Sequence, residues 1–494
     1  MNIKHTLIAI LGLAMSLTAR AETVTLSTPG TLADALKNPG VVTSLTINGV
    51  VNAADFDYIN SELTALTELN LSGASIAGYS GDPVLYGRTT FAANELPANA
   101  LGGTRVTSVT LPQGITAIGD GAFNGSSISA ISIPASVTAI GEGVFAGCRS
   151  LKSITIPASV KNVGKMAMAH CPALTSATYE PAVLPEGAFA GCSALATVDA
   201  PALTAIGPSA FQQCTALTNF TFPATLAVVG EGAFEWTSLT EARLDAATSL
   251  AAIGDRAFAH CTSLTSATLP AAMTSLGDGV FLDCPALTSA ALPKGVTEIP
   301  AYAFKGDAAL NVNTTFHNGI TAINDFALKG VEGQATVTLP ASLVYIGDEG
   351  MADMTGMSTL QAFRITSGVP ELGENVWLGV DQPNVKLEVP VDLDHAYSSA
   401  PQWQNFNITL TSSQLITADD ASCVNARFAG TDLLIDADTQ IVSLQVFDLG
   451  GRMIISAAPA SANAVVDTSR FTDKVYVVNI TLDDDTPATF KLAR

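Results

Sequence analysis

The six residues IGEGVF, Ile140–Phe145, return along this chain at a spacing too regular for an ordinary globular domain. Related boxes begin at Leu96, Ile118, Val163, Leu184, Ile206, Val229, Ile253, Leu276, Ile299, Ile323, Ile346 and Leu372, making 13 copies that step by 21 to 26 residues. A unit of that length cannot bury its apolar side alone and must stack on its neighbours, so most of the chain is expected to be a repeat solenoid. The usual expectation for 494 residues, roughly three separate domains, gives way to that stack.

One unit shows how a coil is built. In LKSITIPASVKNVG, from Leu151, the residues Leu151, Ile154 and Ile156 point inward, and Lys152, Ser153 and Thr155 point outward. This is the L-x-x-L-x-L spacing of leucine-rich repeats, ending in a short strand that alternates between two faces. Pro157 ends the strand because it has no N–H to offer the next coil; Pro112, Pro134, Pro223, Pro270, Pro293 and Pro340 do the same. The second residue of the box is usually glycine, expected to make a backbone turn closed to other residues. The acid that often follows (Asp120, Glu142, Glu231, Asp255, Asp278, Asp348) is expected to cap a helical turn. The small residue and Phe that close the box, such as Ala122-Phe123, should pack inward and build a phenylalanine spine. The fold class is therefore an α/β-type solenoid, right-handed and curved, with one parallel strand per coil on its concave face.

Composition supports a packed and exported chain. Apolar residues make up 48% and charged residues 13%, ample for a core. Residues 1–21 read as a signal peptide: Lys4, the apolar run Leu7–Leu17, and Ala19-Arg20-Ala21 as a small-x-small cleavage site. Its removal leaves 20 basic against 44 acidic residues, a net charge of −24 that repels nucleic-acid phosphates. No segment is long and apolar enough to predict a transmembrane span.

Catalytic and metal chemistry find little support. His170-Cys171 and His260-Cys261 resemble ligand pairs, but they lie four coils apart, roughly 19 Å, too far to share one ion. Cys148, Cys171, Cys192, Cys214, Cys261 and Cys284 each follow a box by three residues and form a ladder, expected as buried free thiols; Cys423 stands outside it. No G-x-S-x-G elbow or phosphate loop occurs, so no catalytic residue, cofactor or metal is assigned. The outward strand positions are mostly Thr and Ser, which suit an exposed strand. Departures from that rule, Lys152, Asp199, Glu241, Arg243 and Arg364, are the candidate partner-binding residues.

The unit L-x-x-I-x-I-P…I-G-x-x-A-F over residues 96–377 resembles the BspA-like branch of the leucine-rich repeats, found in secreted and surface proteins of anaerobic bacteria. Residues 22–95, with LTINGVVNAADFDYI and LTELNLSGASI, resemble the amino-terminal cap of such proteins. Residues 378–411 resemble the closing cap, with Tyr397, Trp403 and Phe406 placed to cover the last coil. After a polar linker, 412–420, residues 421–494 alternate as strands, with DLGGR as a hairpin turn. They form an expected small all-β sandwich that resembles the sorting domain of type IX secretion. The resemblance implies a non-enzymatic surface protein for adhesion or protein–protein interaction, its partner a host matrix or cell-surface protein. Glycan binding is the alternative, weakened by the lack of aromatic residues on the strand face.

Overall fold

The computed structural model describes residues 20–362, 365, 368–390, 393–411, 424–429, 432–448, 451–469, 471, 475–482 and 487–493. The signal-peptide reading falls on residues of which all but the last two lie outside that set, and the linker 412–420 lies outside it entirely. The chain divides into two compact units, Met1–Ala200 and Pro201–Arg494.

In the first unit, strands Arg20–Leu26, Val42–Val51, Glu68–Ile76, Ser108–Thr110 and Ala130–Ile131 form a parallel sheet. Its register places Leu45, Leu69, Val109 and Ile131 in one row, so apolar side chains stack coil upon coil. Helix Ala53–Glu62 follows the second strand. Asn52 caps it, accepting from Ala54 N at 2.9 Å, and the buried Asp55 carboxylate accepts from the amides of Gly30, Leu32 and Asn52 at 2.7, 2.9 and 2.9 Å. Strands Ser153–Ile156, Ser176–Tyr179 and Thr197–Asp199 continue the expected strand side.

A second ladder accompanies the expected one. The two residues that enter each box pair in parallel, with Leu96, Ile118, Ile140 and Val163 in register. These ladders bond in both directions: Ser129 N donates to Thr107 O of the preceding coil (3.0 Å) and Gly141 N to Ile118 O (2.9 Å), whereas Leu244 N donates to Thr268 O of the next (2.9 Å). Beyond the box glycine the bonds between coils run forward. Gly121, Phe123 and Gly125 donate forward to Glu142, Val144 and Ala146 at 2.9, 2.9 and 2.8 Å. Between them Ala122 and Asn124 donate back within the same coil, so this side is a chain of tight turns rather than a helix.

The second unit repeats the scheme. Its strand side holds Glu241–Arg243, Ser266–Thr268 and Ser289–Ala290, then Thr336–Thr338, Thr359–Gln361, Lys386–Pro390 and Asn407–Thr411. Thr218, Asn219 and Thr221 lie in no strand; Phe220 beside them packs 5.2 Å from Phe211 and from Phe234. One coil replaces its strand with the helical turn Val312–Thr315, capped by Asn311. There the Asn313 side chain stands in for a strand edge, donating to Thr336 O at 2.8 Å and accepting from Thr338 N at 2.9 Å. The phenylalanine spine is continuous from Phe211 through Phe234, Phe258 and Phe281 to Phe304, centroids 5.1 to 5.8 Å apart and near parallel. In the first unit Phe123 and Phe145 stack at 5.4 Å. After the last box, Tyr397, Trp403 and Phe406 are buried; Trp403 and Phe406 meet Trp377 at 5.2 and 5.0 Å.

The last strands form a curled antiparallel sheet. Strand Asp432–Asp448 serves both of its flanks: residues 432–437 pair with Val424–Ala429, residues 432–441 with Ser461–Asp467, and residues 441–448 with Met453–Ala457 and Val475–Leu482. Leu433, Ile435, Leu444, Val446, Tyr476 and Val478 share its core. Asp448 closes the DLGGR hairpin by accepting from Arg452 N at 2.8 Å. No helix among the described residues is long and apolar enough to cross a membrane.

Candidate functional site

The strand face presents the sequence-predicted residues separately. In the first unit Lys152 and Asp199 are exposed; the register aligns Thr155, Thr178 and Asp199, two strands on and three residues along from Lys152. In the second unit Glu241 and Arg243 flank Ala242 on the same face, and Arg243 Nε donates to Glu241 Oε2 at 2.7 Å. An exposed pair of this kind contributes about 0–1 kcal/mol. Arg364 lies outside the described residues. The hydroxyls between these charges are engaged within the fold: Thr107, Ser129 and Thr175 donate to the preceding coil's carbonyl at 3.1 to 3.2 Å, as do Thr265 and Thr288 at 2.9 and 3.0 Å.

The box side differs from its sequence reading in two respects. None of the glycines at the second box position has a positive φ. Their role is close approach: a Cβ on Gly141, Gly254 or Gly277 would stand 2.6, 2.6 or 2.3 Å from a backbone nitrogen of the preceding coil. The left-handed residues are the fourth and, continuing the count, the eighth, in every one of the 13 boxes. The coil from Ile118 uses Gly121 and Gly125 there, whereas later coils use Met166, His170, Trp236, Arg256, His260, Tyr302 and Phe326. The acids at the third position do not cap helices, since turns follow them. Asp120, Asp255, Asp325 and Asp348 each accept the amide of the corresponding residue one coil on, at 2.7 to 2.9 Å.

The ninth position carries the cysteine ladder. All six ladder cysteines are buried, and none is in a disulfide. Cys148, Cys171, Cys192, Cys261 and Cys284 donate to a carbonyl of the preceding coil's sixth box residue, at 3.1 or 3.2 Å. Burial pushes the Cys261 thiol up to about 11, against the opposing hydrogen bond from Thr237. Such thiols are poor nucleophiles and poor metal ligands. Asp307 occupies the same rung, fully buried. Its Oδ1 accepts from Cys284 N at 2.7 Å and its Oδ2 has no partner, and burial raises its carboxyl well above the usual range. Among the described residues no group of three or more His, Cys, Asp or Glu could hold a metal ion.

Aromatic side chains gather on the turn edge of the second unit. Trp236, 47% exposed, stacks on His260 with centroids 4.1 Å apart, and His260 Nδ1 lies 3.4 Å from Asp283 Oδ2. Tyr302, 38% exposed, stacks on Phe326 at 4.9 Å. Lys305 Nζ stands over both rings at 5.5 and 5.8 Å, and Lys329 Nζ is 5.8 Å from the Phe326 ring. A groove of about 550 Å³ is lined by Asp283, Tyr302 and Lys305 of this group. The sequence reading passed over Trp236, Tyr302 and Phe326 and weighed His260 only as a metal ligand; all four stand where other coils have glycine, and comparing the boxes position by position out to the eighth residue exposes the substitutions.

Stacked parallel coils with L-x-x-I-x-I strands and an inward box make this chain a leucine-rich-repeat protein. It belongs to the family described as the BspA type leucine rich repeat region, which matches residues 94–196, 182–311 and 310–400. Among solved structures, it is similar to a leucine-rich repeat protein from Bacteroides ovatus, with 23% identity, a TM-score of 0.51, and coverage of 68% of this chain and 92% of that one. A leucine rich cell surface protein from Faecalibacterium prausnitzii aligns at 22% identity and a TM-score of 0.31, covering 57% and 86%. A leucine-rich repeat protein from Eubacterium ventriosum aligns at 17% and 0.42, covering 64% and 83%. No curated protein matches the chain.

Proposed function

We propose that the chain is an exported, non-enzymatic protein–protein interaction module that acts in adhesion at a bacterial surface. The observation that carries this reading is the register of the strand side: outward side chains repeat coil after coil in parallel rows, such as Ser153, Ser176 and Thr197, which builds recognition area rather than a convergent site. Proteins commonly use such repeat faces to bind proteins. Lys152, Asp199, Glu241 and Arg243 are the proposed contact residues on that face, with Arg364 proposed beside them from the sequence alone. Residues 1–21 serve as the signal peptide, and 421–494 as the type IX sorting domain, in keeping with the hairpin at Asp448–Arg452. The domain limits at 95, 377, 411 and 420 belong to the same proposal.

The test uses the full chain on intact cells, presented to panels of host matrix proteins and of glycans. Saturable binding of a matrix protein, weakened by combined Lys152→Glu, Asp199→Lys and Arg243→Glu changes, is expected. Binding to glycans alone overturns the reading. Deleting 421–494 should shelter the remaining chain from added protease; undiminished cleavage refutes the sorting role.

A further inference from the structure

We propose that the turn edge of the coils from Val229 to Gly330 is a docking surface for a basic, extended segment of a partner protein. This rests on the protein-binding reading above and assigns it a second face and a partner chemistry.

The conformational argument comes first. The fourth and eighth box positions are left-handed in every coil, where a Cβ is disfavoured and glycine is the default. Gly121, Gly125, Gly143 and Gly147 show that glycine makes the turn. Yet the coils from Val229 onward hold Trp236, Arg256, His260, Tyr302 and Phe326 there, each against its backbone preference. Large residues kept in a disfavoured conformation, with Trp236 and Tyr302 substantially exposed, point to a use for the side chain. Trp, Tyr and Arg are also the residue types that anchor protein interfaces.

Charge then selects the partner. The groove beside these rings is lined by four carboxylates, Glu231, Asp255, Asp278 and Asp283, against Arg256 and Lys305. That excess sits in a chain with a net charge of −22 but only 13% charged residues. The ring faces already accept cations, as Lys305 and Lys329 demonstrate. A lysine- or arginine-bearing segment meets both demands, and opposite charge across an interface steers its approach. The row from Trp236 to Phe326 crosses four coil steps, roughly 19 Å, the span of about six residues of extended chain.

The test is fluorescence anisotropy of the full chain with a labelled ten-residue peptide alternating lysine and serine, with a glutamate–serine peptide as control. Saturable, salt-sensitive binding of the lysine peptide alone is expected. Trp236→Gly and Tyr302→Gly suit the left-handed backbone and should leave the melting temperature unchanged or higher while weakening binding at least tenfold. Asp278→Lys should weaken it similarly; Glu68→Lys, an equal change of net charge at an exposed strand-face position of the first unit, should alter it less than twofold. Equal losses from the two lysine variants would show diffuse attraction and overturn the proposal. So would full binding by the glycine variants, absence of saturable binding, or displacement of the peptide by a neutral oligosaccharide. A matrix protein that binds the chain undiminished by the glycine variants would remove this surface and leave the protein-binding reading standing.

Discussion

The strand side and the turn side of a coil are joined to their neighbours by the same kind of backbone hydrogen bond, yet they treat side chains in opposite ways. On the strand side, outward positions are mostly Thr and Ser, whose hydroxyls return to the preceding coil's carbonyls. On the turn side, the outward fourth and eighth positions range from Gly121 and Gly125 to Arg256 and Trp236, and the backbone adopts the left-handed conformation regardless. Identity is constrained where the strand must pair, and conformation is constrained where the chain must turn. Variation is therefore cheap on the turn side only if the stack is strong enough to hold each residue in place.

The spine supplies that strength, and Phe211→Ala tests it most severely. Its ring lies 5.1 Å from Phe234, and its loss should destabilise the chain by about 3–5 kcal/mol in chemical unfolding. A loss below about 1 kcal/mol would mean the turn side does not rely on the spine.

Asp307→Cys returns the buried rung to a thiol. The folded carboxyl titrates above its unfolded value, so the fold is least burdened below the ordinary carboxylate range and loses stability as pH rises through the raised value. The variant should be more stable by about 1–3 kcal/mol at pH 8, with the advantage shrinking on acidification. A difference independent of pH would show that Asp307 is not a buried proton carrier.

Gly125→Ala isolates backbone conformation, because an added Cβ meets nothing within 4 Å. It should cost about 1–2 kcal/mol, with the reverse-sense change Met166→Gly ranging from neutral to a gain of about 1 kcal/mol. If Gly125→Ala is silent, the left-handed turn is not a constraint. Thr265→Val, which removes one exposed strand-side hydroxyl bond, should move stability by only about 0.5 kcal/mol; a larger loss would make the hydroxyl row the stronger tie.

Much of this architecture was legible in the sequence. The strands, the prolines that end them, the buried phenylalanines and the thiol rungs all follow from apolar spacing and side-chain type. What the sequence hid was why each glycine is there. A glycine can be needed for its missing volume or for its φ, and the letter does not say which. At Gly141 it is volume, since the preceding coil's backbone fills the space a Cβ would take. The φ requirement falls two residues later, where Met166, Arg256 and Tyr302 conceal it. Candidate contact residues were chosen as departures from the hydroxyl pattern, a signal confined to the strand face. The stacked Trp236 and His260 are departures from a glycine pattern that begins after the recognisable box.

The mixed donor directions within a coil have an electrostatic consequence. Amides that point to the preceding coil, as at Gly141, coexist with amides that point to the next, as at Phe123 and Leu244. Each peptide carries a dipole of about 3.5 D, and in an α-helix these align and add. Here peptides of opposite direction offset one another in part within each coil, so the axial dipole grows more slowly with added coils than it would along an α-helix. An end of the stack gathers correspondingly less partial charge than a helix terminus does. An end of such a stack calls for apolar cover rather than a counter-charge, and the buried Tyr397, Trp403 and Phe406 beyond the last box supply cover of that kind.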